Sequence, residues 1–376
     1  MGKSATMTER ERFLMQMAPN PYDAAPNWEF GFWDATLPAW HQQGLPIDVN
    51  SQSAAHRYFG LENPHFGKGY FLPTGATLCL YPSLPARSLG VRDGHELLID
   101  GDGVTYMQMQ EGARTIPHYV DHTLKSRKEW DELYKPRLDP TTPGRFPNVD
   151  WEAIHQDFDA RGAPRFLYLD GFMGYLRNLM GFEAFAMLPY DDLDLFEEMV
   201  ETLTRIKEAH LDTLQGHVQI EMAHFWEDIC YNAGPIVNPT AFRNIVVPRM
   251  KRISDRLRAE FGCRYVSVDC DGNFLALLDG WIEAGVNSIT PCEVDAGMDI
   301  LMLQERYGDR CTFQGGIQKK TLISGPDAID AELQRVLPAV RRGGYLPHLD
   351  HACPANVPLD NYRYYVRRKR ELLGCA

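Results

Sequence analysis

Hydrophobic positions change their spacing along this chain, and the change divides it into three zones. Near the start, Thr8-Glu9-Arg10-Glu11-Arg12-Phe13-Leu14 predicts a short helix over residues 7 to 20, with Thr8 as its cap. Pro21 to Pro26 form a turn-rich connection. Asn27-Trp28-Glu29-Phe30-Gly31-Phe32-Trp33-Asp34 then reads as aromatic and strand-like. Its rings suit a core, since Trp and Phe mostly bury. Glu29 among them needs a partner. Residues 60 to 125 are different: short alternating runs broken by Gly and Pro. There Glu96-Leu97-Leu98-Ile99, Asp100-Gly101-Asp102-Gly103 and Val104-Thr105-Tyr106-Met107 predict a hairpin. The zone reads as an antiparallel insertion beside the main body, or as a lid over a site. Ser126 to Leu138 returns to helix.

From Phe166 the pattern becomes regular. Phe166-Leu167-Tyr168-Leu169-Asp170-Gly171 is a strand leading to a turn, and Asp191 to Glu208 an amphipathic helix. Val218-Gln219-Ile220-Glu221-Met222 reads as the next strand. Asn238-Pro239 opens a helix as N-cap and first-turn Pro. Strand ends follow at 264–269, 288–293, 311–316 and 344–348, before a terminal helix from about Leu359. Strands alternating with helices predict βα units and a parallel sheet. No GxGxxG or Walker motif follows the early strands, which favours a closed barrel over a nucleotide-binding open sheet. The expected fold is α/β: a (β/α)8 TIM barrel spanning residues 1–376 as one domain, with an antiparallel β-rich insertion at about 60–125.

Composition narrows the picture by exclusion. The 376 residues carry a net charge of −13. Phosphate-backbone binding needs clustered Lys and Arg. The most basic run, Arg367-Arg368-Lys369-Arg370, lies near the end of a helix-like segment, where cations suit the helix dipole. Nucleic acid is not an expected partner. No apolar run approaches a membrane span, and the polar sequence after Met1-Gly2-Lys3-Ser4 has no signal-peptide core. A cytoplasmic protein without membrane contact is expected. The eight cysteines are scattered without CxxC pairs, against a zinc ribbon or a secreted disulfide framework.

Candidate chemistry centres on Arg264-Tyr265-Val266-Ser267-Val268-Asp269-Cys270-Asp271-Gly272-Asn273. Side chains two apart on a strand point to one face, so Asp269 and Asp271 should emerge together. Acids at the end of a buried strand are costly unless they meet a cation, a metal or a proton. They read as the floor of an active site; the alternative is that one caps the following helix. Polar residues also follow the other strands: Asp170, His224 with Glu227-Asp228, Glu293, Gln318-Lys319, and His348-Leu349-Asp350-His351. In a barrel the carboxyl ends of the strands form one rim, and the rim carries the site. Carboxylate plus imidazole suits Zn²⁺ with three protein ligands and one open position, and Asp269, Asp271 and His351 are the candidate trio. The alternative is a metal-free cluster in which His and Asp satisfy each other. Lys319 is a candidate to hold an anionic group or to pair with Glu293. Cys270 and Cys353 read as thiolate ligands or as packing.

Glu283-Ala284-Gly285-Val286-Asn287, Pro291-Cys292-Glu293-Val294-Asp295-Ala296-Gly297-Met298-Asp299, Tyr307-Gly308, Gly315-Gly316 and His351 with Asn361 carry a resemblance. Together they resemble the uroporphyrinogen decarboxylase superfamily, which also contains the corrinoid-dependent methyltransferases. The similarity covers roughly residues 160 to 372 and implies a (β/α)8 barrel with its pocket at the carboxyl-end rim. True decarboxylases of that family have an early Arg-Gln-Ala-Gly-Arg stretch; this chain has Asn27-Trp28-Glu29-Phe30-Gly31 in that region. The family's catalytic tyrosine position falls on Arg177, and its active-site histidine matches His351. The family's zinc methyltransferases carry a His-x-Cys pair where Asp269-Cys270-Asp271 stands, and a later Cys where His351 stands.

The resemblance therefore implies a methyltransferase component. It would move a methyl group from an O-methyl, methoxylated small molecule to cobalamin carried by a partner corrinoid protein. Asp269, Asp271 and His351 would hold zinc or polarise the ether oxygen. Glu293 and Asp228 would orient ligands or protonate the leaving oxygen. Trp28, Glu29, Arg177, His224, Lys319 and His348 complete the expected substrate contacts, with Trp33 a second candidate aromatic wall. A homodimer is compatible with this reading. The alternative is a decarboxylase-like lyase acting on a small carboxylic acid or tetrapyrrole.

Overall fold

The computed structural model describes residues 7–19, 25–62, 69–109 and 117–374. Of the expected turn at Pro21 to Pro26, residues 21–24 lie outside them. The first helix runs Glu9–Met17, with a capping box in which Thr8 and Glu11 satisfy each other's backbone N–H groups.

An antiparallel sheet comes next, from β1 (Arg87–Arg92), β2 (His95–Ile99), β3 (Val104–Met109) and β4 (His118–His122), in that order. The expected β2–β3 hairpin is present, pairing Ile99 with Thr105 and His95 with Met109. Its turn is held by Asp100, whose carboxylate accepts from the Asp102 and Val104 N–H groups at 3.0 and 2.9 Å. Ser126 to Leu138 is helical, as expected, although Trp130–Tyr134 is π-wound and Lys135–Leu138 is 3₁₀.

The main body is a parallel sheet. Its strands are β5 (Phe166–Tyr168), β6 (Met222–Trp226), β9 (Tyr265–Asp269), β10 (Ser288–Cys292), β11 (Thr312–Ile317) and β12 (Tyr345–Leu349). A short hairpin, β7 (Cys230–Tyr231) with β8 (Gly234–Pro235), follows β6. The spatial order is β12-β11-β10-β9-β6-β5. Covered by helices outside and packed inside, these strands carry near-continuous apolar runs rather than alternation.

Two irregular segments bring the ends of the sheet together. Phe71 bridges to Phe166 in parallel sense, with Leu72 N–H on the Phe166 carbonyl at 2.8 Å. At the other end Phe32 bridges to Cys353, and Cys353 N–H reaches the Gly31 carbonyl at 2.9 Å. Trp28 joins the two segments, its ring 5.7 Å from Tyr70. The result is a (β/α)8-like barrel with an N-terminal antiparallel insertion. Phe13, Trp28, Phe166 and Tyr265 plug its lower end, Phe13 lying flat on Trp28 at 5.5 Å and near Phe166 and Tyr265 at 5.0 and 5.7 Å.

Two strand assignments are corrected. Residues 27–34 form isolated bridges rather than a regular strand, because Gly31 turns to φ 124°. The strand expected at Val218 to Met222 starts four positions later. Glu221, just before it, already pairs its backbone with Arg165 and Tyr265 at 2.9 and 3.0 Å, while its carboxylate accepts from Arg10 at 2.7 Å and from the Arg165 N–H at 2.6 Å. Among the described residues, no helix is long and apolar enough to cross a membrane.

Candidate active site

Every strand of the parallel sheet releases a polar residue as it ends, so the barrel's upper mouth is lined with acids. β9 supplies Asp269 and then Asp271. Asp269 is mostly buried, its side chain 16% exposed, and Asp271, Asp228 and Glu293 all press on it electrostatically. Burial is the largest effect and the three carboxylates add to it, so the Asp269 carboxyl is held well above its usual range. Its Oδ2 lies 3.9 Å from Nε2 of His224, which emerges from β6. Tyr168 and Phe71 flank that imidazole, 6.0 and 5.8 Å away between ring centres.

Asp271 and His351 form a second pair, with Oδ2 to Nε2 at 3.3 Å. The His351 ring is stacked on Trp33 at 5.3 Å and lies 4.7 Å from Phe30. Trp33 is 39% exposed, so this ring faces the open side of the mouth. The β10 and β11 ends give a third group. Glu293 accepts from the Gly272 N–H at 2.9 Å, and Lys319 Nζ stands 3.6 Å from Glu293 and 3.3 Å from Asp350. Asp350 is raised by burial, with Lys319 pulling the other way. His348 is buried, its Nδ1 2.7 Å from the Leu349 carbonyl, with Phe30 6.1 Å away.

The β6 end carries a feature that sequence reasoning missed. Glu227 caps the Met173–Met180 helix. Its carboxylate accepts from the N–H groups of Phe172, Met173 and Gly174 at 3.0, 2.8 and 3.1 Å. Burial pushes it up to about 7, and lowers the nearby Lys207 ammonium to about 8. Lys207 donates to the Gly171 carbonyl at 2.9 Å. The anchored helix presents Arg177, which binds both the carbonyl and the carboxylate of Asp228 and lies 5.3 Å above the Trp226 ring. A local pattern of one acid before another after a strand does not reveal which helix the first will hold.

The residues expected to hold zinc do not form one donor set. Asp271 is paired with His351 and Asp269 faces His224, so each carboxylate is matched to a different imidazole. Among the described residues, no group of three His, Cys, Asp or Glu side chains is placed to share a metal ion. Cys270 and Cys353 are fully buried and their thiols are pushed well above the usual range by burial, which disfavours thiolate ligation. The arrangement does not fit a three-ligand zinc site and suits carboxylate–imidazole pairing.

Two further expectations are corrected. Trp28 is 3% exposed within the aromatic plug at the opposite end of the strands from the acidic mouth, which suits core packing. Glu29 is committed to structure: it accepts from Lys369 Nζ at 2.6 Å, Tyr365 OH at 2.7 Å and Leu349 N–H at 3.2 Å. The partner that Glu29 required is thus a lysine on the terminal helix, Leu359–Leu373.

Beside the mouth, a cavity of about 630 Å³ separates the insertion from the barrel. Trp226, Asp228 and Arg177 form its barrel wall; Asp100, Asp102 and Tyr119 belong to the insertion. The insertion is fastened there by Tyr175 OH, which donates to Asp102 at 3.1 Å, and by Tyr134 OH on the Asp102 carbonyl at 2.9 Å.

A (β/α)8-like barrel with an acidic mouth and a side cavity defines the class of protein. The uroporphyrinogen decarboxylase (URO-D) family model matches residues 173–372, and the chain belongs to that family. Uroporphyrinogen decarboxylase of Pseudoalteromonas atlantica (strain T6c / ATCC BAA-1087) is 27% identical over 137 residues, 35% of this chain and 37% of that protein. Among solved structures, a methyltransferase from Methanosarcina mazei superposes with a TM-score of 0.59 at 17% identity. That superposition covers 97% of this chain and 99% of the other, and the likeness is one of fold.

Proposed function

We propose that this chain is the methyltransferase component of a corrinoid-dependent demethylation, acting on an O-methyl small molecule. The observation that carries the reading is Asp269: a mostly buried carboxyl facing His224, with Asp228, Asp271 and Glu293 raising it further, holds its proton to higher pH than an ordinary Asp. Breaking a methyl–oxygen bond leaves the bonding pair on oxygen, and a poor leaving group then needs a proton. A corrinoid carried by a partner protein supplies the reduced cobalt centre that accepts the methyl group. Asp269 gives its proton to the departing oxygen, and His224 at 3.9 Å orients that carboxyl. The Asp271–His351 pair, backed by Trp33 and Phe30, positions the methoxy end of the donor. Asp228 is held by Arg177 and Glu293 by the Gly272 N–H, which keeps their charges turned toward Asp269. Lys319 is occupied between Glu293 and Asp350 and acts as a positioning residue.

The test combines purified protein, its cognate corrinoid protein in reduced form, and a panel of methoxylated arenes and alkyl ethers. Release of the demethylated alcohol is expected; no turnover across the panel would discard the reading. The match to the decarboxylase family keeps a second reading, a lyase on a small carboxylic acid. That reading predicts CO₂ release with no corrinoid present. The acidic mouth disfavours a polycarboxylate substrate such as uroporphyrinogen.

A further inference from the structure

The cavity between the insertion and the barrel mouth has walls of two kinds. One is aromatic: Tyr119 and Phe182, each 56% exposed, with Trp226 beyond them. The other is built of acceptors: Asp100, Asp102 and His122. Among the described residues Arg177 is its one cationic lining residue, and that guanidinium is already bound to Asp228 and laid over Trp226. Asp100 and Asp102 are left with hydrogen-bond donors but, among the described residues, with no Lys or Arg partner. The buried Nδ1 of His122 has no hydrogen-bond partner among the described residues.

The volume, about 630 Å³, is that of a pocket for a small organic molecule. Partly buried carboxylates without a cation favour a ligand that brings one, and aromatic faces attract the same charge. An anionic ligand would meet Asp100 and Asp102 with no free cation among the described residues to offset them.

Resting on the function proposed above, we infer that this cavity seats the body of the methyl donor and that the body is a protonated amine on an apolar, ring-sized frame. The ammonium N–H groups face Asp100, Asp102 and His122, while the frame lies against Tyr119 and Phe182. Asp102, whose carboxyl is raised by burial, becomes the ammonium's main partner. The methoxy end then points past Asp228 toward Asp269.

Calorimetric titration of the protein alone tests this with three probes that share a methoxyphenol unit: 3-methoxytyramine, neutral guaiacol and anionic homovanillate. The amine should bind about tenfold more tightly than guaiacol, with homovanillate the weakest. Asp102→Asn, which keeps an acceptor for Tyr175, should bring the amine down to the guaiacol level. Homovanillate binding as tightly as the amine, or an unchanged amine affinity in Asp102→Asn, overturns the inference. Should that variant fail to fold, Tyr119→Ala on the outer strand decides: weaker binding of the amine supports the site and unchanged binding removes it. No corrinoid partner enters the titration. Amine-selective binding without methyl transfer would therefore sink the proposed reaction and leave this site standing.

Discussion

Glu29→Ala is the perturbation whose size follows most directly from the contacts. Glu29 accepts three hydrogen bonds, from Lys369, Tyr365 and Leu349, and Lys369 is 0% exposed. Lys369 also donates to the Trp28 carbonyl at 2.5 Å, so its ammonium stays in place when the carboxylate goes. Removing one partner of a buried ion pair strands the other charge and costs about 3–5 kcal/mol. Unfolding entropy of about 2.1 cal/mol/K per residue gives roughly 0.8 kcal/mol/K for 376 residues. The melting temperature should therefore fall by about 4–6 °C. Scanning calorimetry at constant pH reads the shift. The double variant Glu29→Gln with Lys369→Met removes both charges and should recover much of the loss. An unchanged melting temperature together with a raised KM for the methyl donor would refute this placement, and return Glu29 to the substrate.

Asp269→Asn should stabilise the fold, and more at about pH 8 than at about pH 4. The folded carboxyl is raised, so its penalty is absent below the ordinary Asp range and grows as pH rises toward the folded value. Equal melting shifts at both pH values would contradict a raised Asp269. Gly171→Ala should sharply reduce soluble yield, because a Cβ there would run into the Trp226 carbonyl where the β5 loop crosses β6. Normal expression and melting would refute that close approach. Trp33→Ala uncovers His351 and should raise KM for the donor several-fold with little change in melting temperature. A loss confined to stability would make the stack structural. Thr8→Ala removes the capping box and should cost about 1 kcal/mol, read by chemical denaturation.

Particular residues show what was legible beforehand. Asp269 and Asp271 two apart after a β-branched run marked the end of β9, and Gly315-Gly316 marked a strand that is β11. The Thr8 and Asn238 caps were readable because capping is local, and both side chains do accept the expected N–H groups. What failed was long-range. Glu29 and Lys369 lie 340 positions apart, so their pairing leaves no local signature. The Glu227 carboxylate turns back to a helix that begins 54 residues earlier, at Met173. The division of the mouth into two carboxylate–imidazole pairs depends on how the strands tilt around the barrel, and residue order alone suggested a single trio. The side cavity was equally hidden, because it joins a hairpin turn to a strand end more than 120 positions away.

Comparing anisole with 4-nitroanisole tests the role of Asp269 most directly. The nitrophenolate departs without a proton, whereas the unactivated phenolate gains far more from one. Single-turnover methyl transfer to the reduced corrinoid protein should fall by about 10²–10⁴-fold in Asp269→Asn with anisole, and only a few-fold with 4-nitroanisole. An equal loss for both donors, or none for either, would contradict proton delivery from Asp269.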